Sequence, residues 1–211
     1  MCPDVYLSDT KRIRDDGGLM VVEHYDVVLG WIADKKPVTL YCDPWSIDIT
    51  DDGWTPAGRN AIAGTNFPYS QLEFDPGAEE CAFWRAALPP NFDPTQDIIV
   101  KVWWKASTEI AGDAVWGVSV LGREEGDDID AAALGAEVEV VATVQGVVEQ
   151  LTVTEITLTP AQHVLAADDM VIIKLARKAA DAADDLADDA DVVMVACDIA
   201  IDPSVLIEGM P

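Results

Sequence analysis

An antiparallel two-sheet β-sandwich, of jelly-roll type and preceded by an N-terminal arm or extra β-element, is the fold this sequence predicts. Three observations carry that expectation. From residue 37 onward the apolar residues come in short runs rich in Val, Ile, Thr and Trp, several alternating apolar and polar with a period of two. Strong turn signals separate the runs. No amphipathic stretch of 10 to 15 residues intervenes, which argues for antiparallel sheets over parallel βαβ units.

The runs, in order, are PVTLYC (37–42), SIDIT (46–50), QLEF (71–74), CAFWRAAL (81–88), DIIVKVWWK (97–105), DAVWGVSVLG (113–122), EVEVVATVQ (137–145), EQLTVTEITL (149–158), DMVIIKLAR (169–177) and DVVMVACDIAI (191–201). Alternation is plainest at Ile99-Val100-Lys101-Val102 and Glu137-Val138-Glu139-Val140, the mark of half-buried strands. Between them lie DDGW (51–54), DPGA (75–78), LPPNFDPTQD (88–97), EIAGD (109–113) and VQGVV (144–148), each with the Gly, Pro, Asp or Asn that tight connections need. About eight to ten strands of this length are what a two-sheet sandwich requires. Two Asp- and Ala-rich segments, 123–136 and 178–191, interrupt the rhythm and predict a short helical turn or an ordered loop at the rim.

The first 36 residues differ from the rest. They hold five Lys/Arg against seven acids, so they are nearly neutral, whereas the whole chain has a net charge of −26. The boundary is therefore set between an assembly segment, 1–36, and a sandwich domain, 37–211. Leu19, Val21, Val22, Val27, Val28, Leu29 and Trp31 make the segment apolar enough to need a partner surface, and they are the candidate subunit contacts.

Composition excludes several kinds of function. A field of −26 repels nucleic acid and anionic membrane surfaces. The N-terminus lacks the apolar run of a signal peptide, and no stretch of about eighteen apolar residues is present to span a bilayer; the expectation is synthesis in a cytoplasm. Cys2, Cys42, Cys81 and Cys197 have no zinc-ligand spacing, and Cys81 and Cys197 read as core residues. With two histidines, no nucleophile elbow, no HExxH and no phosphate-binding glycine loop, neither enzyme chemistry nor a cofactor is expected.

Six aspartates (Asp181, Asp184, Asp185, Asp188, Asp189 and Asp191) crowd the second Asp-rich segment. The spacing of the first four, three-one-three, would place them on one helical face, where like charges need water or a counter-charge. A solvated, capped turn is the favoured reading, ahead of a cation site and a docking face for a basic partner; the EF-hand pattern is absent. Arg177 is positioned to pair with one of these carboxylates and tie the crossover to its strand. Asp127, Asp128 and Asp130 form a second acidic loop, expected to be independent of the first. Of the tryptophans, Trp84, Trp103, Trp104 and Trp116 lie in strands, with Trp103 and Trp104 on opposite faces. Trp45 and Trp54 lie in turn-rich sequence, where exposed rings can stack on sugars.

The succession LEFD (72–75), FWRAALPPNFDPTQDIIVKVWWKAS (83–107), AVWGVSV (114–120), GDDID (126–130), LTVTEITLT (151–159) and the segment 171–201 resembles a β-sandwich domain of tailed-bacteriophage and archaeal-virus virion proteins. The likeness covers roughly residues 40–202 and leaves the first 36 outside. It implies a structural role in a virion, of head-decoration or fibre type, with Asp184 and Asp185 in the turn before the last strand. The expected function is a capsid decoration, or cement, protein on the outer capsid surface. Its expected partners are the major capsid protein and copies of itself, in a trimer. The alternative is a tail- or head-fibre domain recognising host glycans through Trp45 and Trp54, and a third reading is a calcium-dependent binding module.

Overall fold

The structure, a computed structural model, describes residues 37–44 and 55–202, together with the backbone of four strands nearer the N-terminus. Those four are β1 (Val5–Ser8), β2 (Lys11–Asp16), β3 (Leu19–Asp26) and β4 (Gly30–Ala33). They pair in sequence order as an antiparallel meander, a sheet separate from those that follow. The next strands are β5 (Val38–Cys42), β6 (Gly58–Ile62), β7 (Tyr69–Phe74), β8 (Glu80–Ala87), β9 (Ile98–Ala106), β10 (Asp113–Arg123), β11 (Val138–Thr143) and β12 (Thr152–Leu158). A four-residue helix, α1 (Pro160–His163), precedes β13 (Met170–Arg177) and β14 (Ala190–Ile199).

Strands β7 to β14 form a jelly roll. One sheet runs β11-β10-β13-β8; the other runs β12-β9-β14-β7-β6, with β5 paired to the second half of β14. The pairings nest: β7 with β14, β8 with β13, β9 with β12, and β10 with β11, all antiparallel. A long hairpin is thus rolled on itself until β9 meets β14 and β10 meets β13, which is the jelly-roll connectivity. The strand runs from PVTLYC and QLEF to DVVMVACDIAI all fall on these elements, except that SIDIT lies outside the described residues.

The core lies between the two sheets and follows from the alternation. On β9, Ile98, Val100, Val102 and Trp104 point inward, and on β12 it is Thr152, Thr154, Ile156 and Leu158. Burying an aliphatic side chain of this size contributes about 1.5–3 kcal/mol. Three rings lock the centre: Trp104 meets Trp116 edge-on with centroids 5.7 Å apart, and Trp116 meets Phe74 at 5.1 Å. The Trp104 indole N–H donates to Thr154 Oγ1 at 2.9 Å, which explains a hydroxyl in an apolar row. Trp103, as its neighbouring position demands, lies on the outer face.

The Asp- and Ala-rich segments are irregular loops, not helices. The four aspartates of the second segment therefore do not share a helical face. Alanine favours helix, but Asp184, Asp185 and Asp188 accept from backbone N–H groups of a distant segment, while Asp181 accepts from the N–H of Ala183 two residues on.

Candidate functional site

The acidic crossover between β13 and β14 is organised around Arg177, which is fully buried at the end of β13. Its guanidinium holds Asp184 in a two-pronged pair, Nε to Oδ2 at 3.0 Å and Nη2 to Oδ1 at 2.8 Å. It also donates to the carbonyls of Phe74 (2.9 Å), Asp188 (2.8 Å) and Leu186 (2.6 Å). Asp184 in turn accepts from the Val115 N–H at 3.0 Å, Asp185 from Asp113 at 2.7 Å, and Asp188 from Thr108 at 2.6 Å. The crossover is pinned to the start of β10, and the expected Arg177 pair is the hub of it. Burial alone would raise the Asp188 carboxyl, but the backbone bonds from Thr108 and Glu109 outweigh it and hold the pKa low.

Asp191 is used in the same way on β14. It is buried and accepts from Lys105 Nζ at 2.9 Å and from the Ser107 hydroxyl. Its burial pushes the carboxyl up despite those bonds. In the other acidic loop Asp127 and Asp128 accept from the backbone of Glu124 and Asp130. Among the described residues no group of three or more His, Cys, Asp or Glu is placed to hold a metal ion.

The described histidine and cysteines are buried. His163 is buried between the Gln96 carbonyl (3.1 Å) and the Leu165 N–H (3.2 Å), against the Phe92 ring. Cys42, Cys81 and Cys197 are buried free thiols; burial pushes Cys42 up to about 12 and Cys81 up to about 11, and Cys197 upward as well. A thiol so shifted has almost no thiolate near neutral pH and is a poor nucleophile.

Grooves lie on both outer faces of the sandwich. The first, of about 490 Å³, crosses the four-stranded sheet, with Phe83, Leu121 and Ile172 beneath the loop residues Ile129 and Leu134. At its end Glu137 accepts from Lys174 and Lys178, each at 2.8 Å. Gly117 makes room for that carboxylate, since a Cβ there would sit 2.8 Å from Glu137 Cδ. Burial works against the Glu137 charge, but the two ammonium bonds prevail and lower its pKa.

The second groove, of about 570 Å³, runs over the outer face of the six-stranded sheet from β6 and β7 to β9, across β14, which lies between β7 and β9. Phe67, 68% exposed, sits 6.2 Å from Tyr69 at its rim. Below them come Gln71 and Glu73 of β7 and Lys105 of β9, with Glu149 from the loop before β12. Lys105 Nζ is held by Asp191 (2.9 Å), Glu149 (2.8 Å) and Ser107 Oγ (3.2 Å). Burial opposes its charge, yet these partners raise its pKa. Glu73 Oε1 accepts from Asn60 (2.7 Å) and from Gln71 Nε2 (3.0 Å). Gln71 is 3% exposed, and its Oε1 has no partner among the described residues.

The sequence-derived contact residues fall elsewhere. Leu19, Val21 and Val22 lie on β3, in register with Asp16, Arg14 and Ile13 of β2, and Trp31 lies on β4 opposite Tyr25. Val27, Val28, Leu29, Trp45 and Trp54 lie outside the described residues. Sequence reasoning missed the second groove; its one local signal is an aromatic, Phe67, flanked by Asn66 and Pro68 in a connection.

No family model and no curated protein matches the chain. Solved structures do. The mosquito-larvicidal Cry4Aa toxin of Bacillus thuringiensis is similar over 92% of this chain and 30% of its own, at 9% identity and a TM-score of 0.46. A family 11 carbohydrate-binding module of Clostridium thermocellum, in complex with a β-1,3-1,4-mixed-linked tetrasaccharide, is similar over 90% of this chain and 96% of its own, at 10% identity and 0.38. An exo-β-1,3-galactanase of Phanerochaete chrysosporium is similar over 92% and 42%, at 9% and 0.39. This chain spans less than half the length of the toxin and of the galactanase, and the likeness is one of β-sandwich fold alone.

Proposed function

We propose that this chain is a structural virion protein acting by adhesion: a decoration protein on the outer face of a capsid, bound to the major capsid protein and to copies of itself. One observation carries the reading. The strands between Val5 and Ala33 pair with one another in a sheet apart from the sandwich, so the chain offers a β-element besides its self-contained jelly roll. Such an element, carrying Leu19, Val21, Val22 and Trp31, can bury apolar area at a subunit junction, worth about 25 cal/mol for each Å² removed from water. The jelly roll supports the reading from the other side: the carboxylates of Asp184, Asp185 and Asp188 hold the crossover to β10 and the loop before it, and the described histidine and thiols are buried in the interior.

The test is co-sedimentation of the protein with undecorated shells. Removing residues 1–32 is expected to leave a folded body, checked by circular dichroism, that no longer coats them. A shortened chain that coats shells with full affinity overturns the reading.

A second reading, recognition of host glycans by a fibre component, has its own observation in the second groove, with exposed Phe67 at its rim.

A further inference from the structure

The groove that runs from β6 and β7 across β14 to β9 has no task in the decoration role, and its chemistry is selective. We infer that it is a binding site for a short neutral saccharide, one sugar ring lying on Phe67 and its hydroxyls donating to Glu73, Glu149 and Gln71. The inference rests on the glycan-recognition reading, for which it names the site and the class of ligand, and not on the decoration role.

The first argument is the balance of donors and acceptors. Lys105, the one ammonium lining the groove, directs its protons to Asp191, Glu149 and Ser107. The Gln71 amide N–H is directed to Glu73. On the floor of the groove this leaves the acceptors of three side chains: the second oxygens of Glu73 and Glu149, and Gln71 Oε1, an amide oxygen buried without a partner among the described residues. An unpaired buried acceptor is costly, so a donor that reaches it gains more than an ordinary hydrogen bond. A ligand that answers this surface must bring many donors.

Charge narrows the class. Glu149 and Asp191 pair with the single Lys105, and Glu73 lines the same groove, in a chain of net charge −26, so phosphates, sulfates and acidic sugars are repelled. A guanidinium prefers both oxygens of one carboxylate. Here Glu73 and Glu149 each have one oxygen committed, an arrangement that suits single hydroxyls.

The apolar side agrees. Phe67 projects 68% exposed at the rim, with Tyr69 tilted 56° beside it and Ile62 below. An exposed ring over a polar floor matches the two-sided chemistry of a pyranose, whose C–H face is apolar and whose edge is hydroxyl. The volume of about 570 Å³ lies within the usual range of small-ligand sites.

The experiment uses the full chain on an array of short neutral gluco-, manno-, galacto- and xylo-oligosaccharides, with affinities for any bound member measured by calorimetry. A basic Lys/Arg peptide is titrated in parallel. The expected result is saturable binding of at least one saccharide, weakened about tenfold or more by Phe67→Ala and by Glu149→Gln, with the thermal midpoint of Phe67→Ala unchanged because the ring is exposed. Binding of no array member, or of the peptide alone, overturns the site together with the glycan reading. Saccharide binding that survives Phe67→Ala but is lost in Trp54→Ala overturns the site and leaves that reading standing.

Discussion

Replacing Arg177 by Met tests whether the acidic crossover is held by one buried cation. The guanidinium donates to Asp184 at 2.8 and 3.0 Å and to the carbonyls of Phe74, Leu186 and Asp188 at 2.9, 2.6 and 2.8 Å. Methionine fills similar space without any donor. The Asp184 side chain, only 2% exposed, would keep the Val115 N–H but lose its counter-charge, and the three carbonyls would lose a donor. Removing one partner of a buried pair costs about 3–5 kcal/mol, chiefly because the other charge stays buried and uncompensated. Against a total stability of about 5–15 kcal/mol, that loss is large. For a chain of this size it corresponds to a fall of about 10 °C in Tm. Urea denaturation followed by tryptophan fluorescence gives the free energy. Adding Asp184→Asn to Arg177→Met removes the stranded charge but keeps an oxygen for Val115, and should recover about 1–2 kcal/mol. A single variant within about 1 kcal/mol of the parent, or a double variant that recovers nothing, refutes the reasoning.

Two further predictions concern the same loops. Gly112 has φ of +122°, and a Cβ there would lie 2.9 Å from Leu186 Cα, so Gly112→Ala should cost about 2 kcal/mol by urea midpoint; an unchanged midpoint would show that β10 and the crossover do not touch as closely as described. Glu137, whose pKa is lowered in the fold, stabilises it above the ordinary carboxylate pKa and loses that contribution as pH falls through its folded value. Glu137→Gln should therefore be less stable than the parent by about 1–2 kcal/mol at pH 7, and the gap should close as pH falls below the ordinary carboxylate range and through the lowered folded pKa; a gap that stays constant would mean that the charge of Glu137 is not what Lys174 and Lys178 hold.

The strands of the jelly roll are legible one by one because side-chain alternation is local. Thr152 to Leu158 bury every second residue, and Trp103 and Trp104 had to part to opposite faces once their segment was a strand. Where that signal is missing, reading the residues fails. GRNAI carries no apolar alternation and lies on the outside as β6, recruited through backbone pairing with β7. KRIRDD, mostly charged, is β2 for the same kind of reason.

By itself the sequence determined the class of fold, the sharp division between a near-neutral leading segment and an acidic remainder, and the kinship of Arg177 with the aspartates that follow it. Tertiary structure alone decided what those aspartates do. A three-one-three spacing suggests a helix face, but the carboxylates of Asp184, Asp185 and Asp188 turn to N–H groups at 108–115, some seventy residues earlier in the chain. It alone also brought Phe67, Gln71, Lys105 and Glu149 to one groove. The physical reason is the range of each interaction: alternation records which side of one segment faces water, whereas a hydrogen-bond partner or a groove wall is assigned by how the hairpin rolls.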